Sequence, residues 1–487
     1  MTSSVPGHSQ RERLAEIAAR AMRERGLAPD FPADALEQVA AIPAAPSIEA
    51  GLPARDLRQL PWCSIDNDDS KDLDQLSAAE PLADGAVRIL VAVADVDVLV
   101  PAASPVDRHA ALNTTSVYTP ARVFPMLPTR LSTELTSLNQ DADRLALVAD
   151  MVVRRDGTLA GEAVYAARVR NHAHLVYDDV DRFLSDDGPL SVSTVVLEQL
   201  RIQDAAARAL STRRHELGAL DFELSETRVQ FDDGHLRALQ SDRPNRAKDL
   251  IQNLMIATNG IVARFLDRNG FASIRRVVRA PARWDRIQAI AASLGTTLPN
   301  EPDAPALARF LAARKAAAPE SFHELSHAII KLVGAGEYLV DTPSTDAPGH
   351  FALAVKDYAH STAPNRRYTD LITQRLVKAV LRGAPSPYTV EELTALARLC
   401  TTREDDANRV ERQVRKSAAA MLIADRVGQS FEAIVTGASP KGTYVRTTSP
   451  HIEGRVVRGT AGLDVGEHVR VHLAHVDVER GFIDFNA

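Results

Sequence analysis

Two short amphipathic patterns open the chain. Apolar residues recur with a helical period over residues 10–25 and 32–42, and a Pro/Ala/Gly-rich stretch over residues 43–53 follows them. We therefore predict a small helical N-terminal module and linker over residues 1–50. Because this region has mixed charge and few aromatic residues, we interpret it as a packing or docking arm. The alternative interpretation is a nucleic-acid reader.

The long middle region changes from strand-like to helical patterns. Strands are predicted over residues 87–100, 145–154 and 158–168. Helices are predicted over residues 194–217, 247–269, 284–294, 306–317, 322–333, 365–381 and 390–427. A sheet built early and covered by later helices is typical of an α+β domain, which we expect over residues 51–427.

The last sixty residues return to short strand-like runs separated by glycine-containing turns. The runs cover residues 431–436, 442–447, 452–457, 468–476 and 481–485. Five short strands with this spacing predict a small five-stranded barrel of the OB type over residues 428–487.

Composition indicates a globular protein with more than one domain. The chain has 487 residues, of which 45% are hydrophobic and 25% are charged, and its mean hydropathy is -0.15. A chain of this length exceeds the size at which one hydrophobic core keeps growing, so two or three domains are expected. The net charge of -7 argues against a wholly basic nucleic-acid binder but leaves room for a local basic channel.

Cysteine usage and hydropathy favour a soluble protein of the cytoplasm. Cys63 and Cys400 can form neither a disulfide framework nor a zinc site of the usual spacing. The N-terminus has no apolar core of the signal-peptide kind. The most apolar segment is interrupted by Asp95 and Asp97, so no membrane span is expected.

A cluster of acidic residues precedes the first predicted strand. Its five carboxylates lie within nine residues: Asp66, Asp68, Asp69, Asp72 and Asp74. Like charges at such spacing repel each other unless a cation lies between them or one of them keeps its proton. Oxygen ligands are those that Mg²⁺ or Mn²⁺ prefers, so the cluster is a candidate metal site.

Other interpretations of the acidic cluster fit less well. An EF-hand loop starting at Asp66 would need glycine and an acid where Lys71 and Ser77 stand. A phosphoaspartyl hydrolase would need the acids at the end of a strand that opens a doubly wound domain. A solvated turn remains open; it suits Asp68 and Asp69 better than Asp72 and Asp74, which share one face of an extended segment.

A second group of polar residues lies near residue 365. Pro364 can occupy the first turn of the predicted helix, and Arg366 and Arg367 follow it. Two arginines at the positive end of a helix are unfavourable, and a bound anion such as phosphate would relieve the conflict. The alternative is an ion pair with a structural acid such as Asp370. Tyr118, in a loop between the two groups, could stack on a base, although a lone tyrosine is more often a core or rim residue.

These motifs, in this order, resemble the catalytic RNB domain of the RNase II family. The resemblance covers roughly residues 55–385, and the C-terminal barrel resembles the OB-type RNA-binding domain that closes these enzymes. The motifs that carry it are Ser64-Ile65-Asp66, Asp72-Leu73-Asp74, Ala94-Asp95-Val96, Pro125-Met126-Leu127-Pro128 with Leu131-Ser132, and Pro364-Asn365-Arg366-Arg367-Tyr368.

The resemblance implies a processive 3′-to-5′ hydrolytic exoribonuclease that releases nucleoside 5′-monophosphates with Mg²⁺, for which Mn²⁺ could substitute. It further implies single-stranded RNA as substrate, including RNA whose 3′ overhang adjoins a duplex, and we expect a monomer. The metal ligands and catalytic acids of the family correspond to Asp66, Asp72 and Asp74, and its arginine next to the scissile phosphate corresponds to Arg366. The aromatic clamp on the terminal bases corresponds to Tyr118 and Phe222.

Further RNA-binding residues are expected at the helix start and on the barrel. Arg367 is the second arginine of the anion-binding motif, and Lys441 and Tyr444 belong to a basic and aromatic face of the last domain. Phe431 is expected in the barrel core.

The sequence departs from the family pattern in two places. Where the commoner pattern has a second adjacent aspartate, this chain has Gln75, whose amide could offer an oxygen to a metal but no charge. This change keeps open a catalytically weak or silent RNA-binding protein that retains the RNB fold. Upstream, the helical arm is too short for the tandem cold-shock domains of well-known members, so the chain resembles shorter bacterial forms, whose channel could admit duplex more readily.

Overall fold

A computed structural model describes residues 9–44, 52–222, 227–232, 235–241, 244–345, 347–439 and 442–487. Its helices are α1 Gln10–Glu24, α2 Ala33–Ala40, α3 Pro105–Asn113, α4 Tyr177–Asp186, α5 Thr194–Glu216, α6 Arg246–Arg268, α7 Trp284–Ser293, α8 Ala304–Ala317, α9 Pro319–Val333, α10 Tyr368–Leu381 and α11 Val390–Ile423. The strands that precede the barrel are β1 Arg55–Asp56, β2 Cys63–Asp66, β3 Gln75–Pro81, β4 Val87–Ala94, β5 Val117–Tyr118, β6 Val123–Phe124, β7 Asp143–Val153, β8 Leu159–Arg170, β9 Ala173–Val176, β10 Thr227–Asp232, β11 His235–Ser241, β12 Ser273–Val277 and β13 Glu337–Asp341.

A seven-stranded mixed sheet organises the larger part of the fold, in the order β1-β8-β7-β4-β3-β2-β9. Its central strands β3, β4, β7 and β8 are antiparallel, whereas β1 and β9 pair in parallel with their neighbours. Helices α5 and α6 pack across the central strands, so residues 89–94 of β4 are buried without a break. The α+β class predicted from the sequence is confirmed.

Two predicted elements have different limits in the structure. The strand predicted over residues 87–100 ends at Ala94, where the chain turns, and the side chains of Asp95 and Asp97 beyond it pair with Lys378 of α10. The helix predicted from residue 365 begins at Tyr368. The residues before it form a loop whose polar groups bond both to the acidic segment, through Thr362 and Asn365, and to Asp370 of the helix.

A buried ionic cluster fastens α10 to the segment that follows β4. Lys378 Nζ lies 2.9 Å from Asp95 Oδ1 and 3.0 Å from Asp97 Oδ2. Arg375 contacts Asp97 Oδ1 at 2.9 Å and Asp107 Oδ1 at 2.7 Å. Lys378 is only 1% exposed, so its charge depends on these partners. Because α10 follows directly after Arg366 and Arg367, the cluster also fixes the position of the loop over residues 361–367 that carries them, the arginine loop.

We expect Lys378→Met to destabilise the protein by about 3–5 kcal/mol, because it leaves the buried carboxylate of Asp95 without its cation and leaves Asp97 with Arg375 alone. Urea unfolding followed by the fluorescence of Trp62 and Trp284, the two tryptophans of the chain, measures the loss, because both are buried. Arg182→Ala is the control, because its ion pair with Asp179 is exposed and contributes about 0–1 kcal/mol. Equal stability of the two variants would contradict the prediction.

The C-terminal residues form a closed barrel of five strands. These are β14 Ser430–Ser439, β15 Gly442–Thr447, β16 Glu453–Arg458, β17 His468–Asp477 and β18 Phe482–Asn486, and their order around the barrel is β14-β15-β16-β18-β17. The predicted barrel is therefore confirmed. Phe431 is 5% exposed and packs edge-on against Phe485, as expected for a core residue.

The N-terminal module packs on both larger parts of the chain. Leu14 and Ile17 of α1 belong to one apolar cluster with Met421 of α11 and residues near the barrel. Arg13 and Arg20 both pair with Glu479, in the turn between β17 and β18. These contacts agree with the interpretation of the module as a packing arm.

None of the helices in the part of the chain that the structure describes has the length and apolar character needed to cross a membrane. Cys63 and Cys400 are buried and free.

Candidate active site

The acidic residues lie on the loop that joins β2 to β3. Asp66 ends β2, and Asp74 directly precedes β3. Between them Leu73 is buried, and its backbone is held by Ser137 Oγ and by the amide of Leu138. This anchoring places Asp72 and Asp74 on the same side of an extended segment. Asp68 and Asp69 are exposed at a turn of the same loop, as expected for turn residues.

Asp74 is the most enclosed of the three aspartates. Its Oδ1 accepts hydrogen bonds from the backbone amide of Asn365 at 3.1 Å and from Asn365 Nδ2 at 2.9 Å. Thr136 Oγ1 in turn donates to Asn365 Oδ1 at 2.8 Å, which fixes the orientation of the amide. Asp74 Oδ2 is buried without a hydrogen-bond donor and lies 3.5 Å from Arg366 Nε. One carboxylate oxygen is thus committed to the fold, whereas the other is available to a ligand.

Arg366 supplies the positive charge that the three aspartates share. Its side chain remains 44% exposed, and its carbonyl accepts a hydrogen bond from the amide of Ser116 at 3.0 Å. Burial, opposed by Arg366 and assisted by repulsion from Asp72, raises the pKa of Asp66 and of Asp74 to about 7. Burial also raises the pKa of Asp72. Three carboxylates and one guanidinium therefore leave an excess of negative charge that a cation would neutralise.

Arg367 has a different position from Arg366. Its Nε and one Nη donate to the two oxygens of Asp370 at 2.8 and 2.7 Å. Asp370 is fully buried and also accepts a hydrogen bond from the amide of Ala363. This is the ion pair that the sequence left open as the alternative, and it braces the arginine loop. A direct contact of Arg367 with RNA stays a prediction.

Gln75 lies at the first position of β3, next to Asp74. Its Nε2 donates to the carbonyl oxygen of Thr362 at 2.6 Å. The side chain therefore connects the acidic loop to the arginine loop. Its predicted role as a metal ligand would have to come from the amide oxygen.

Two tyrosines adjoin the acidic site. Tyr118, on β5, is 43% exposed, and its hydroxyl adjoins the Arg366 guanidinium, which lowers the pKa of this hydroxyl against the effect of burial. Tyr177 begins α4, and its hydroxyl interacts electrostatically with Asp66 and Arg366. Burial raises the pKa of both hydroxyls to about 12, so both are neutral donors at pH 7. The sequence prediction included Tyr118 but missed Tyr177, because nothing in its neighbourhood marks it; β9 brings it there by pairing with β2.

Two other predicted RNA-binding residues, Phe222 and Tyr444, lie outside the cluster of aspartates. Phe222 lines a cavity of about 740 Å³ between α5 and α6, together with Arg208 and Arg214. Tyr444 is 39% exposed on the barrel and lies opposite Arg455 of the adjacent strand. Lys441 lies outside the described residues.

The oxygen atoms of the site suit a hard cation, although its described side chains do not yet surround a common point. Among the residues that the structure describes, no group of three His, Cys, Asp or Glu side chains is already arranged to hold a metal ion. Mg²⁺ needs no such arrangement, because it keeps several waters and commonly binds one or two carboxylates together with phosphate oxygens of a substrate. The unbonded Asp74 Oδ2 and the all-oxygen donor set fit such an ion.

Two family models match most of the chain. The model of the RNB domain matches residues 54–383, and that of the RNase II-type exonuclease C-terminal S1 domain matches residues 429–487. Ribonuclease R of Escherichia coli strain K12 is 31% identical over 437 residues, which cover 86% of this chain and 53% of that protein. The chain thus spans about half the length of this relative.

Solved structures establish the shared fold. Mycoplasma genitalium RNase R in complex with ribose-methylated single-stranded RNA has a TM-score of 0.87 and 22% identity, and the match covers 96% of this chain and 77% of that one. The same protein in complex with double-stranded RNA has a TM-score of 0.85 at 22% identity, with 96% and 82% of the two chains covered.

Proposed function

Because the chain belongs to the RNB-domain family, we propose that it is a processive 3′-to-5′ hydrolytic exoribonuclease that releases nucleoside 5′-monophosphates. The relatives named ribonuclease R support this activity. The single observation that carries the proposal is the unbonded carboxylate oxygen of Asp74, 3.5 Å from the Arg366 guanidinium. A negatively charged oxygen and a cation side by side suit a phosphodiester together with a divalent ion.

Each polar residue of the site has a role in this reaction. Asp66, Asp72 and Asp74 would hold the divalent cation, for which we propose Mg²⁺ with Mn²⁺ as a substitute. When bound, the cation polarises the phosphate and lowers the pKa of a bound water. Arg366 balances the charge that builds up on the phosphate during attack. Asn365 keeps Asp74 in one orientation, so the free oxygen of this carboxylate points consistently at the site.

The substrate is proposed to be single-stranded RNA, including RNA with a 3′ overhang next to a duplex. Tyr118, adjacent to Arg366, suits stacking on a terminal base, and Phe222 offers a second aromatic ring at a cavity that is lined by both arginines and aspartates. Tyr444 and Arg455 would provide a weaker binding surface on the barrel. We propose that the protein acts as a monomer in the cytoplasm, in keeping with its two free cysteines.

A degradation assay tests the proposal directly. RNA labelled at its 5′ end is incubated with the protein and Mg²⁺, and the products are resolved by length and by mass. We expect a ladder that shortens from the 3′ end and releases 5′-monophosphates, with none released in EDTA. A 3′-overhang duplex and a blunt duplex serve as second substrates. Intact RNA after prolonged incubation with either Mg²⁺ or Mn²⁺ would overturn the proposal.

The alternative function is that of an RNA-binding protein with weak or no catalysis. It is suggested only by Gln75, which replaces an acid of the commoner family pattern. The three remaining aspartates and Arg366 are all electrostatically coupled, which favours the catalytic function. RNA that binds tightly and stays intact in the assay above would support the alternative.

Tyr118→Ala tests the proposed stacking. We expect it to weaken binding of a short single-stranded RNA by about 1–3 kcal/mol, the usual value for one base stacked on an aromatic ring. Fluorescence anisotropy in EDTA measures binding without cleavage. Tyr118→Phe keeps the ring and removes the hydroxyl that adjoins Arg366, so it should bind RNA nearly as well as the wild type. An equal loss in both variants would assign the effect to the hydroxyl and contradict stacking.

A further inference from the structure

Amide side chains join the two catalytic loops. The acidic loop contacts the arginine loop through Gln75 Nε2, which donates to the Thr362 carbonyl at 2.6 Å, and through the Asn365 amide groups, which donate to Asp74 Oδ1. In both connections the donor is a neutral N–H and the acceptor is an oxygen. The connection through Gln75 is the shortest of these hydrogen bonds.

We propose that Gln75 is a positioning residue that acts through its amide nitrogen, by holding Thr362 so that Asn365 and Arg366 meet Asp74. This inference rests on the proposed exoribonuclease function. It differs from the expectation that the Gln75 side-chain oxygen binds a metal. It also assigns a role to the glutamine that stands where the commoner family pattern has an aspartate.

A carboxylate could not replace the amide at this contact. The Thr362 carbonyl offers only lone pairs, and an ionised side chain offers no proton. An acid at residue 75 would therefore face the carbonyl oxygen with a second acceptor at 2.6 Å, which is repulsive. The contact as built requires a donor, and glutamine supplies one without adding charge to a site that already holds three aspartates.

The position of Thr362 controls the residues that follow it. The arginine loop is anchored before this point by Asn259, which accepts hydrogen bonds from the amide and hydroxyl of Ser361. It is anchored after it by the Arg366 carbonyl, which accepts from Ser116. Between these anchors, Gln75 holds the Thr362 carbonyl, three residues before Asn365, while Arg367 and Asp370 on the helix side hold the Thr362 hydroxyl and the Ala363 amide. Loss of this bond would shift Asn365 and Arg366 relative to Asp74, and a misplacement of about 1 Å can cost on the order of 100-fold in rate.

Three substitutions separate positioning from metal ligation. Gln75→Glu keeps the size and an acceptor oxygen but removes the donor, Gln75→Leu removes both, and Gln75→Asn keeps a shorter amide. We expect the first two to lower the single-turnover cleavage rate at saturating RNA and Mg²⁺ by about 10- to 100-fold, with the RNA dissociation constant changed less than about threefold. Gln75→Asn should recover part of the rate. Full activity of Gln75→Glu would overturn the proposal.

Metal binding gives the second readout. Free Mn²⁺ is titrated with each protein and followed by its EPR signal, without RNA. Positioning predicts that Gln75→Leu and Gln75→Glu bind Mn²⁺ about equally well, because both keep Asp66, Asp72 and Asp74 and both lose the donor to Thr362. Mn²⁺ binding that is weak in Gln75→Leu and restored in Gln75→Glu would assign the side-chain oxygen to the metal and overturn the proposal.

The third readout does not depend on catalysis. Amide hydrogen exchange of residues 361–367 is expected to be faster in Gln75→Leu and in Gln75→Glu than in the wild type, because both lose the bond to Thr362. Unchanged exchange would overturn the inference. If the wild type leaves RNA intact but the two variants still exchange faster at residues 361–367, the proposed function fails while the positioning contact is supported.

Gln199→Leu is the matched control. Gln199 Nε2 also donates to a backbone carbonyl at 2.6 Å, that of Ala79 on the same strand β3, but it lies on α5 and is used for packing. This variant should lose stability without a selective loss of cleavage rate or a change in exchange at residues 361–367. The same selective loss of rate in Gln199→Leu would show that any weakening of β3 suffices and would overturn the assignment to Gln75.

Discussion

Asp74→Asn is expected to lower the rate of RNA cleavage by on the order of 10³-fold or more, the scale typical of residues that act in the chemical step. The substitution preserves the acceptor for Asn365, since an amide oxygen can take the place of Oδ1. It removes the charge of the oxygen that has no hydrogen-bond donor and lies beside Arg366. The fold is retained while the negative charge for the cation is lost.

The rate is measured in single-turnover experiments with 5′-labelled RNA, and binding by anisotropy in EDTA. RNA affinity should stay within about threefold of the wild type. In the absence of a cation, Asp74 does not attract the phosphodiester, so the loss of its charge removes no favourable contact with RNA. Asp68→Asn is the matched control, since Asp68 is exposed at the turn of the same loop. Asp74→Asn with wild-type activity would contradict both the site and the proposed function.

The same variant makes a prediction about stability. Burial raises the pKa of Asp74 to about 7, so the native state holds this proton more tightly than the unfolded chain does. The ionised carboxylate therefore destabilises the metal-free protein, and this effect grows from about pH 4 and is complete above pH 7. In EDTA at pH 8, Asp74→Asn should unfold at a higher temperature than the wild type, and the difference should vanish near pH 4. A lower unfolding temperature at pH 8 would contradict the assigned environment.

Arg366→Ala is expected to lower the cleavage rate by about 10²–10³-fold, the usual loss for a group that stabilises charge developing in the transition state. Arg366 Nε lies 3.5 Å from Asp74 Oδ2, and its charge acts on all three aspartates. Arg366→Lys should recover part of the rate, because it restores the charge but not the planar guanidinium.

Two measurements make the result for Arg366 specific. The dissociation constant for RNA should change far less than the rate, since a transition-state contact affects turnover more than ground-state binding. Arg201→Ala, which removes an exposed arginine paired with Asp187 on another face, should leave the rate unchanged. Equal losses in rate and in affinity for Arg366→Ala would make Arg366 a binding residue only.

Much of the site could be predicted because its chemistry is local in sequence. Asp66, Asp72 and Asp74 lie within nine residues, and the alternation across Leu73 already indicated that two of them share a face. The distinction between Arg366 and Arg367 could not be made in this way. Both are adjacent in a basic motif, and only the pairing of Arg367 with the buried Asp370 shows which arginine is left for the acids.

The sequence by itself determined the class of the fold, the C-terminal barrel and the candidate residues, because hydrophobic periodicity and short motifs depend on neighbours along the chain. Tertiary structure alone decided what connects them. Asn365 and Gln75 form hydrogen bonds with residues nearly three hundred positions away in sequence. Tyr177 reaches Asp66 because β9 pairs with β2. Asp95 and Asp97, which follow the end of β4 at Ala94, pair with Lys378 of the distant helix α10. Hydrogen bonds and ion pairs depend on distance in space, which no local pattern records.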